Sequence, residues 1–264
     1  RAASTSPEPA VKRYPYRGAP WRARTLAPGL ARLLTRRDAL VELRHGEPPA
    51  VVVIGVPHHA APGVEWIAER RPEGRRVADE NAALYALVCF SRLAACGVPC
   101  RLLVAAHATD HDPNKLPESP YCRRALGEAG VRLLFECHAA GPRAPHELEI
   151  SAGRNRHAQP LRFANLLVGA LGAGHHVAAQ KRPGRSAAVV LAPPGSARES
   201  RLRYPALRTR SLSEAGRRGV AALHLEAAPR FRTLPDGTPH LPGAGRHLGR
   251  ALADAIHAYL RDAR

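Results

Sequence analysis

Five short apolar runs stand out along the chain: Ala50–Val56, Arg101–Ala106, Val131–Phe135, Ala187–Leu191 and Val220–Leu225. Runs of about four to eight residues, rich in valine and leucine and without polar alternation, are the pattern of strands buried on both faces. Helical periodicity lies between and after them. Asp79–Cys96 carries Leu84, Leu87, Val88 and Leu93 at helical spacing and stops at Gly97, and Leu161–Leu171 and Arg246–Tyr259 behave alike. Strands alternating with helices predict an α/β domain of three layers, with a mainly parallel or mixed central sheet and helices on both faces. No internal repeat is present.

Residues 1–28 scatter Pro7, Pro9, Pro15, Pro20 and Pro28 through arginine, serine and alanine with no sustained period, which predicts an extended amino-terminal arm. The folded unit is expected over residues 29–264. Two further Pro/Gly/Arg-rich stretches, Arg182–Gly184 and Pro193–Pro205, are expected to be loops.

Composition narrows the functional classes. The chain has 264 residues and is 45% hydrophobic, which argues against a largely disordered protein and allows a sizeable core. No apolar run reaches the roughly 18 residues of a membrane-spanning helix, so no membrane partner is expected. Lys+Arg number 40 against 22 Asp+Glu, a formal charge of +18, and only Lys12, Lys115 and Lys181 are lysines. The arginines run the whole length of the chain and aromatic residues make up 5%. A nucleic-acid footprint is clustered and interleaved with stacking aromatics, so a solvated basic surface is favoured. A nonenzymatic anion- or nucleic-acid-binding protein is kept as the alternative, because such a field attracts anions. Five cysteines without a C-x-x-C pair fit neither a disulfide framework nor a zinc knuckle and are expected to be reduced thiols. With no apolar signal segment near the start, a cytoplasmic location is expected. The first residue is arginine and methionine is absent, which is read as a trimmed start.

In open α/β sheets the functional crevice lies beyond the carboxyl ends of the strands. The first apolar run leads into Pro57, His58 and His59; the third into Glu136, Cys137 and His138; the last into His224, Leu225 and Glu226. Two histidines from separate strand ends plus a carboxylate are what a catalytic zinc site needs, and a further glutamate, here Glu226, could act as general base. Histidines that merely hydrogen-bond at loop ends are the competing explanation for so histidine-rich a chain. Period-two alternation puts Glu136 and His138 on one face and Cys137 on the other, which makes Cys137 a core residue rather than a nucleophile. Asp79 stands where a helix N-cap is expected, and capping is favoured there, with Glu80 in the first turn. Neither role excludes a metal-facing carboxylate. Asn114 and Lys115, in a turn that begins Asp112-Pro113, could clamp a substrate carboxylate. In His146–Ser151, Leu148 and Ile150 face one way. Glu147, Glu149 and Ser151 face the other, which is read as solvent, and Arg154 beyond them is a possible second anion anchor.

Taken in order, Val-Pro-His58, Ala-Asp79-Glu-Asn with Leu84-Tyr85, Asp112-Pro-Asn114-Lys115, Phe-Glu136-Cys-His138 and Leu-His-Leu-Glu226 resemble the N-formylglutamate amidohydrolase family, which is related to the zinc carboxypeptidases and to the succinylglutamate desuccinylases and aspartoacylases. The resemblance spans roughly residues 50–260. It implies a zinc-carboxypeptidase-like fold and a zinc cofactor on His58, His138 and a carboxylate from Asp79 or Glu80, with His59 an alternative to His58. Glu226 would be the general base. Where members of that family usually have Asp-Leu-Asn-Arg, this chain has Asp-Pro-Asn-Lys, which keeps the cation and loses the bidentate fork. The implied activity is zinc-dependent hydrolysis of an amide bond in a small carboxylate-bearing molecule such as an N-acyl amino acid, with Asn114, Lys115 and Arg154 holding the carboxylate.

Overall fold

The structure is a computed structural model that describes residues 11–15, 40–59, 65–67, 75–77, 79, 82–105, 112–141, 146–172, 174–182, 185–191, 206–232 and 241–261. For 11–15, 65–67, 75–77, 178–182 and 185–191 the backbone alone is described.

Among the described residues, eleven strands and five α-helices follow one another as β1 (Val11–Pro15), β2 (Leu40–His45), β3 (Val52–Val56), β4 (Glu65–Ile67), β5 (Arg75–Val77), α1 (Ala82–Ala95), β6 (Cys100–Ala105), α2 (Pro120–Leu126), β7 (Leu133–Ala139), β8 (Leu148–Ser151), α3 (Pro160–Leu171), β9 (His176–Arg182), β10 (Arg185–Leu191), α4 (Arg210–Arg217), β11 (Ala221–Ala227) and α5 (Gly243–Arg261). Nine of the strands form one sheet in the order β1-β2-β6-β3-β7-β11-β8-β10-β9, and β4 pairs with β5. Its centre, β6-β3-β7-β11, is parallel, so these four strands end at one edge. On one side β2 runs antiparallel to β6; on the other, β8, β10 and β9 alternate in direction. The sheet is therefore mixed. The expected five strands and three helices are all present, with bounds shifted by a few residues.

The sheet separates two apolar layers. Ile54, Leu102, Phe135, Leu223, Leu225 and Ile150 lie in one core with α1, α3 and α5. Along α5, Leu248, Leu252, Ile256 and Tyr259 repeat at helical spacing and are buried. Gly249 lets α5 approach α1: a Cβ there would lie 2.6 Å from the Tyr85 carbonyl oxygen. Phe163 of α3 sits between Phe135 and Tyr259, with ring centroids 5.0 and 5.8 Å away. On the other face the core holds Val53, Leu103, Leu134 and Ala222 with Tyr121, Cys122, Ala125 and Leu126 of α2 and Leu212 and Ala215 of α4. Ser119 caps α2 by accepting the Cys122 amide at 3.0 Å, and Pro120 occupies the first turn, where its missing N–H does no harm.

Several elements depart from the sequence pattern. Val11–Pro15, inside the expected arm, pairs in parallel with β2; the rest of residues 1–28 lies outside the described residues. Strand β2 was hidden because Glu42 interrupts its apolar run. That carboxylate is buried and accepts from Arg124 and Arg44. Beside it the buried Arg101 donates to the Arg124 and Ala125 carbonyls in the last turn of α2, where a cation suits the helix dipole. Arg182 ends β9 and pairs with Arg185 at the start of β10; Pro183, Gly184 and Pro193–Pro205 lie outside the described residues. No helix among the described residues is long and apolar enough to cross a membrane.

Candidate metal centre

Strand register assembles the site. Gly55 of β3 pairs with Glu136 of β7, and β11 places His224 opposite Glu136 and Glu226 opposite His138. On the far side of β11, β8 sets Ser151 opposite His224 and Glu149 opposite Glu226. Residues in register share a face, so these side chains form one polar patch. It lies on the α2/α4 side, where the two short helices cover Val53, Leu134 and Ala222 and the strands turn polar two residues later. Cys137 points into the opposite core, as the alternation required.

Three further side chains reach this patch from the strand-end loops. His58 follows β3, Asp79 precedes α1 and Asp112 lies beyond β6. Asp79 Oδ2 accepts from His138 Nδ1 at 2.8 Å and lies 3.3 Å from His58 Nδ1, while His58 Nε2 donates to Asp112 Oδ1 at 2.7 Å. Tyr85 donates to the His138 carbonyl at 2.7 Å, so α1 holds the strand that carries this histidine. His224 Nε2 donates to Glu226 Oε1 at 3.0 Å, and the His138 and His224 rings stack with centroids 4.1 Å apart. Two groups of potential ligand atoms result: His58, Asp79 and His138, and Glu136, His138 and His224, each within 4.8 Å of one another.

Charge is concentrated here. Burial works against ionisation of His138, yet its hydrogen bond to Asp79 and the nearby Glu136 carboxylate outweigh that and bring its pKa to about 10. Burial also opposes the charged forms of His58 and Asp79, but His58 is raised by Asp112 and Asp79, and Asp79 is held well below the usual carboxylate range by the two imidazoles. Glu226 behaves differently. Burial pushes its carboxyl up to about 7, against the pull of His138. Burial and the neighbouring His138 charge keep His224 neutral.

Several sequence expectations are corrected. The Asp79 side chain turns to the imidazoles rather than capping α1; its backbone carbonyl accepts from Ala82. Glu80 lies outside the described residues. Of the adjacent histidines, His58 joins the cluster. Glu149 and Ser151 do not face solvent; they are 2% and 1% exposed, because β8 is an interior strand and its polar face belongs to the patch. Asn114 is buried and donates to Glu136 Oε2 at 3.3 Å, whereas Lys115, with a side chain 30% exposed, pairs with Asp112 at the rim. Arg154 is exposed and not brought to the cluster: it lies beyond the end of β8, next to Asn155, which donates to the Val220 carbonyl where β11 begins. Tyr121 and Arg232 were missed. Tyr121 donates to Glu136 Oε1 at 3.0 Å, and the buried Arg232 contributes positive charge beside Glu226. The His-x-Glu spacing at 224 and 226 was the available signal for His224 as a partner of Glu226, since such a pair shares a strand face.

No family model and no curated protein matches the chain. Similar solved structures include a metallo-carboxypeptidase from Burkholderia cenocepacia, at 16% identity over 84% of this chain and 61% of that one with a TM-score of 0.46. Others are a metallo-carboxypeptidase from Pseudomonas aeruginosa in complex with (2-guanidinoethylmercapto)succinic acid, at 15% identity over 84% and 61% with a TM-score of 0.44, and an N-acetylmuramyl-L-alanine amidase from Mycobacterium smegmatis, at 14% identity over 81% and 100% with a TM-score of 0.38. The chain spans about three fifths of the length of the two carboxypeptidases.

Proposed function

We propose that this protein is a zinc-dependent hydrolase of an amide bond in a small carboxylate-bearing molecule, an N-acyl amino acid of the N-formylglutamate kind. The observation that carries this reading is the convergence of His58, Asp79 and His138, with Glu226 in register beside His138. Two imidazoles and one carboxylate are a donor set that suits zinc and leaves a position for water. Zinc held there would supply polarisation of the substrate carbonyl and an acidified water.

The chain's own residues do the rest. Glu226, with a carboxyl near 7, is placed to take a proton from water and return it to the leaving nitrogen close to neutral pH. His224 fixes the Glu226 carboxylate through its Nε2 donor. Asp112 orients the far nitrogen of His58, and Tyr85 holds the His138 backbone. Lys115 is the rim cation proposed to meet the substrate carboxylate; Asn114, committed to Glu136, supports the wall behind it.

The test is hydrolysis of N-formylglutamate and related N-acyl amino acids by zinc-loaded wild-type protein and Glu226→Gln. Loss of a general base lowers kcat by about 10²- to 10⁴-fold, with zinc content unchanged. Wild-type turnover in the variant overturns the assignment.

A further inference from the structure

We infer that Glu136 is a positioning residue of the metal centre: its carboxylate takes the Nε2 proton side of His138, so that the opposite nitrogen, Nδ1, is the one presented to an ion. The inference rests on the proposed zinc site and deepens it, by naming what orients the second histidine.

His58 sets the pattern. Its Nδ1 lies 3.3 Å from Asp79 Oδ2, while its Nε2 donates to Asp112 Oδ1 at 2.7 Å. His138 repeats this from the neighbouring strand. Its Nδ1 donates to the same Asp79 Oδ2 at 2.8 Å, and its Nε2 lies 3.8 Å from Glu136 Oε2. Both Nδ1 atoms therefore converge on one carboxylate oxygen, and each Nε2 has a different carboxylate beside it. A metal-binding histidine whose other N–H faces a carboxylate has its tautomer and ring orientation fixed by that partner.

The two histidines differ in one distance. The 3.8 Å gap at His138 is longer than a hydrogen bond, and among the described residues its buried Nε2 has no hydrogen-bond partner. Buried N–H groups are seldom left so. Atoms bound tetrahedrally to one zinc at about 2.0–2.1 Å stand about 3.3 Å apart. His58 Nδ1 and Asp79 Oδ2 already have that spacing, whereas His138 Nδ1 sits closer to Asp79. Its ring has to draw back to admit an ion, and because the two ring nitrogens look outward on opposite sides, that withdrawal carries Nε2 outward along its own N–H direction. The His224 ring, stacked on His138 at 4.1 Å, constrains the ring plane and leaves this in-plane movement open. The charge on His138 agrees: as a cation it bears a proton on each nitrogen, and an ion at Nδ1 replaces the one shared with Asp79, which passes to solvent, and leaves the one at Nε2.

Glu136 is built to receive that N–H. It is fully buried. Tyr121 donates to Oε1 at 3.0 Å and Asn114 to Oε2 at 3.3 Å, neutral donors that orient the carboxylate without cancelling its charge. A carboxylate oxygen has two lone pairs, so Oε2 can accept a second donor. One turn thus backs both histidines: Asp112 directly behind His58, and Asn114, two residues on, behind His138 through Glu136. The Asn114 carbonyl in turn accepts from the Arg210 and Ser211 amides, at 2.8 and 3.2 Å, which ties the turn to the start of α4.

The first test is zinc affinity of the full-length protein by competition with a fluorescent chelator, with circular dichroism and thermal melting as fold controls. Glu136→Gln is expected to bind zinc about 10- to 100-fold more weakly than wild type, the usual loss when such a carboxylate is removed. A merely structural carboxylate would lower the melting temperature and leave zinc affinity alone. A folded Glu136→Gln with wild-type zinc affinity therefore overturns the inference and leaves the proposed function standing. Should that variant fail to fold, histidine nitrogen NMR of the zinc-loaded wild type decides. His138 is expected to be metal-bound at Nδ1 and protonated at Nε2; metal at Nε2, or an unprotonated Nε2, overturns the inference. No zinc bound by wild type overturns this inference and the proposed function together.

Discussion

The Tyr121 phenol donates to Glu136 Oε1 at 3.0 Å while lying directly over Gly55. A Cβ on residue 55 would fall 1.9 Å from the phenol oxygen and 3.1 Å from Cζ. A glycine in the fully buried strand β3 is thus what lets α2 place a hydroxyl on a carboxylate of the neighbouring strand β7. Gly55→Ala is expected to lower stability by about 1–3 kcal/mol through overpacking. Tyr121→Phe costs a comparable amount by leaving Glu136 short of a donor. Because the phenylalanine frees the space of the hydroxyl, Gly55→Ala is expected to cost less in the Tyr121→Phe background. Urea denaturation of the four proteins of the cycle measures this; strict additivity would show that the hydroxyl and the missing Cβ do not compete for one place.

The layered fold was legible because β3, β6, β7 and β11 are buried on both faces and each therefore carries a short, mainly apolar run, which in β7 and β11 turns polar only towards the carboxyl end. Strand β2 was not, because Glu42 is buried through long-range partners such as Arg124, 82 residues away. Helix α2 carried a usable signal in Ser119-Pro120, whereas α4 is eight residues long and buries only Ser211, Leu212 and Ala215, too few apolar positions to stand out. In the site, the shared face of Glu136 and His138 follows from strand geometry alone. Asp79 was ambiguous because capping and ligation call for the same residue type at the same place. Glu149 misled because alternation separates two faces but does not say which one meets water. The bond from Asp112 to His58 spans 54 residues and leaves no mark in local sequence.

Glu128 ties the start of β3 to β2, two strands away in the sheet. Its carboxylate accepts two bonds from Arg44, at 2.9 and 2.7 Å, and one from the Ala50 amide at 2.8 Å. The hydrogen bonds from Arg44, aided by Ala50 and Arg101 against a smaller opposing effect of burial, hold its pKa at about 2, below the ordinary 4.5. A carboxyl depressed on folding stabilises above its unfolded pKa, and that contribution fades as pH falls from about 5 towards 2. After allowance for solvent screening at this partly exposed group it contributes about 1 kcal/mol. Glu128→Gln is expected to be less stable than wild type at pH 7 by that amount, with the gap roughly halved near pH 3 and closing only below about pH 2. A gap that stays constant with pH would mean that the carboxylate's charge contributes nothing.

Thiol chemistry separates the proposed hydrolase from any cysteine-dependent one. Of the five cysteines, Cys96 is exposed while Cys89, Cys100, Cys122 and Cys137 are buried. Burial pushes the Cys100 and Cys122 thiols up to about 12 and raises that of Cys137 as well, so none is a ready thiolate at neutral pH. Cys122 also donates to the Pro113 carbonyl at 3.2 Å. Native protein is expected to release one equivalent of chromophore rapidly with dithionitrobenzoate at pH 8 and five after denaturation. Iodoacetamide treatment of the native protein is expected to leave amide hydrolysis intact, because Cys96 sits at the end of α1 and Cys137 faces the apolar core behind the site. Parallel loss of activity and of a second thiol would place a nucleophilic sulfur in the mechanism and displace Glu226 from its role.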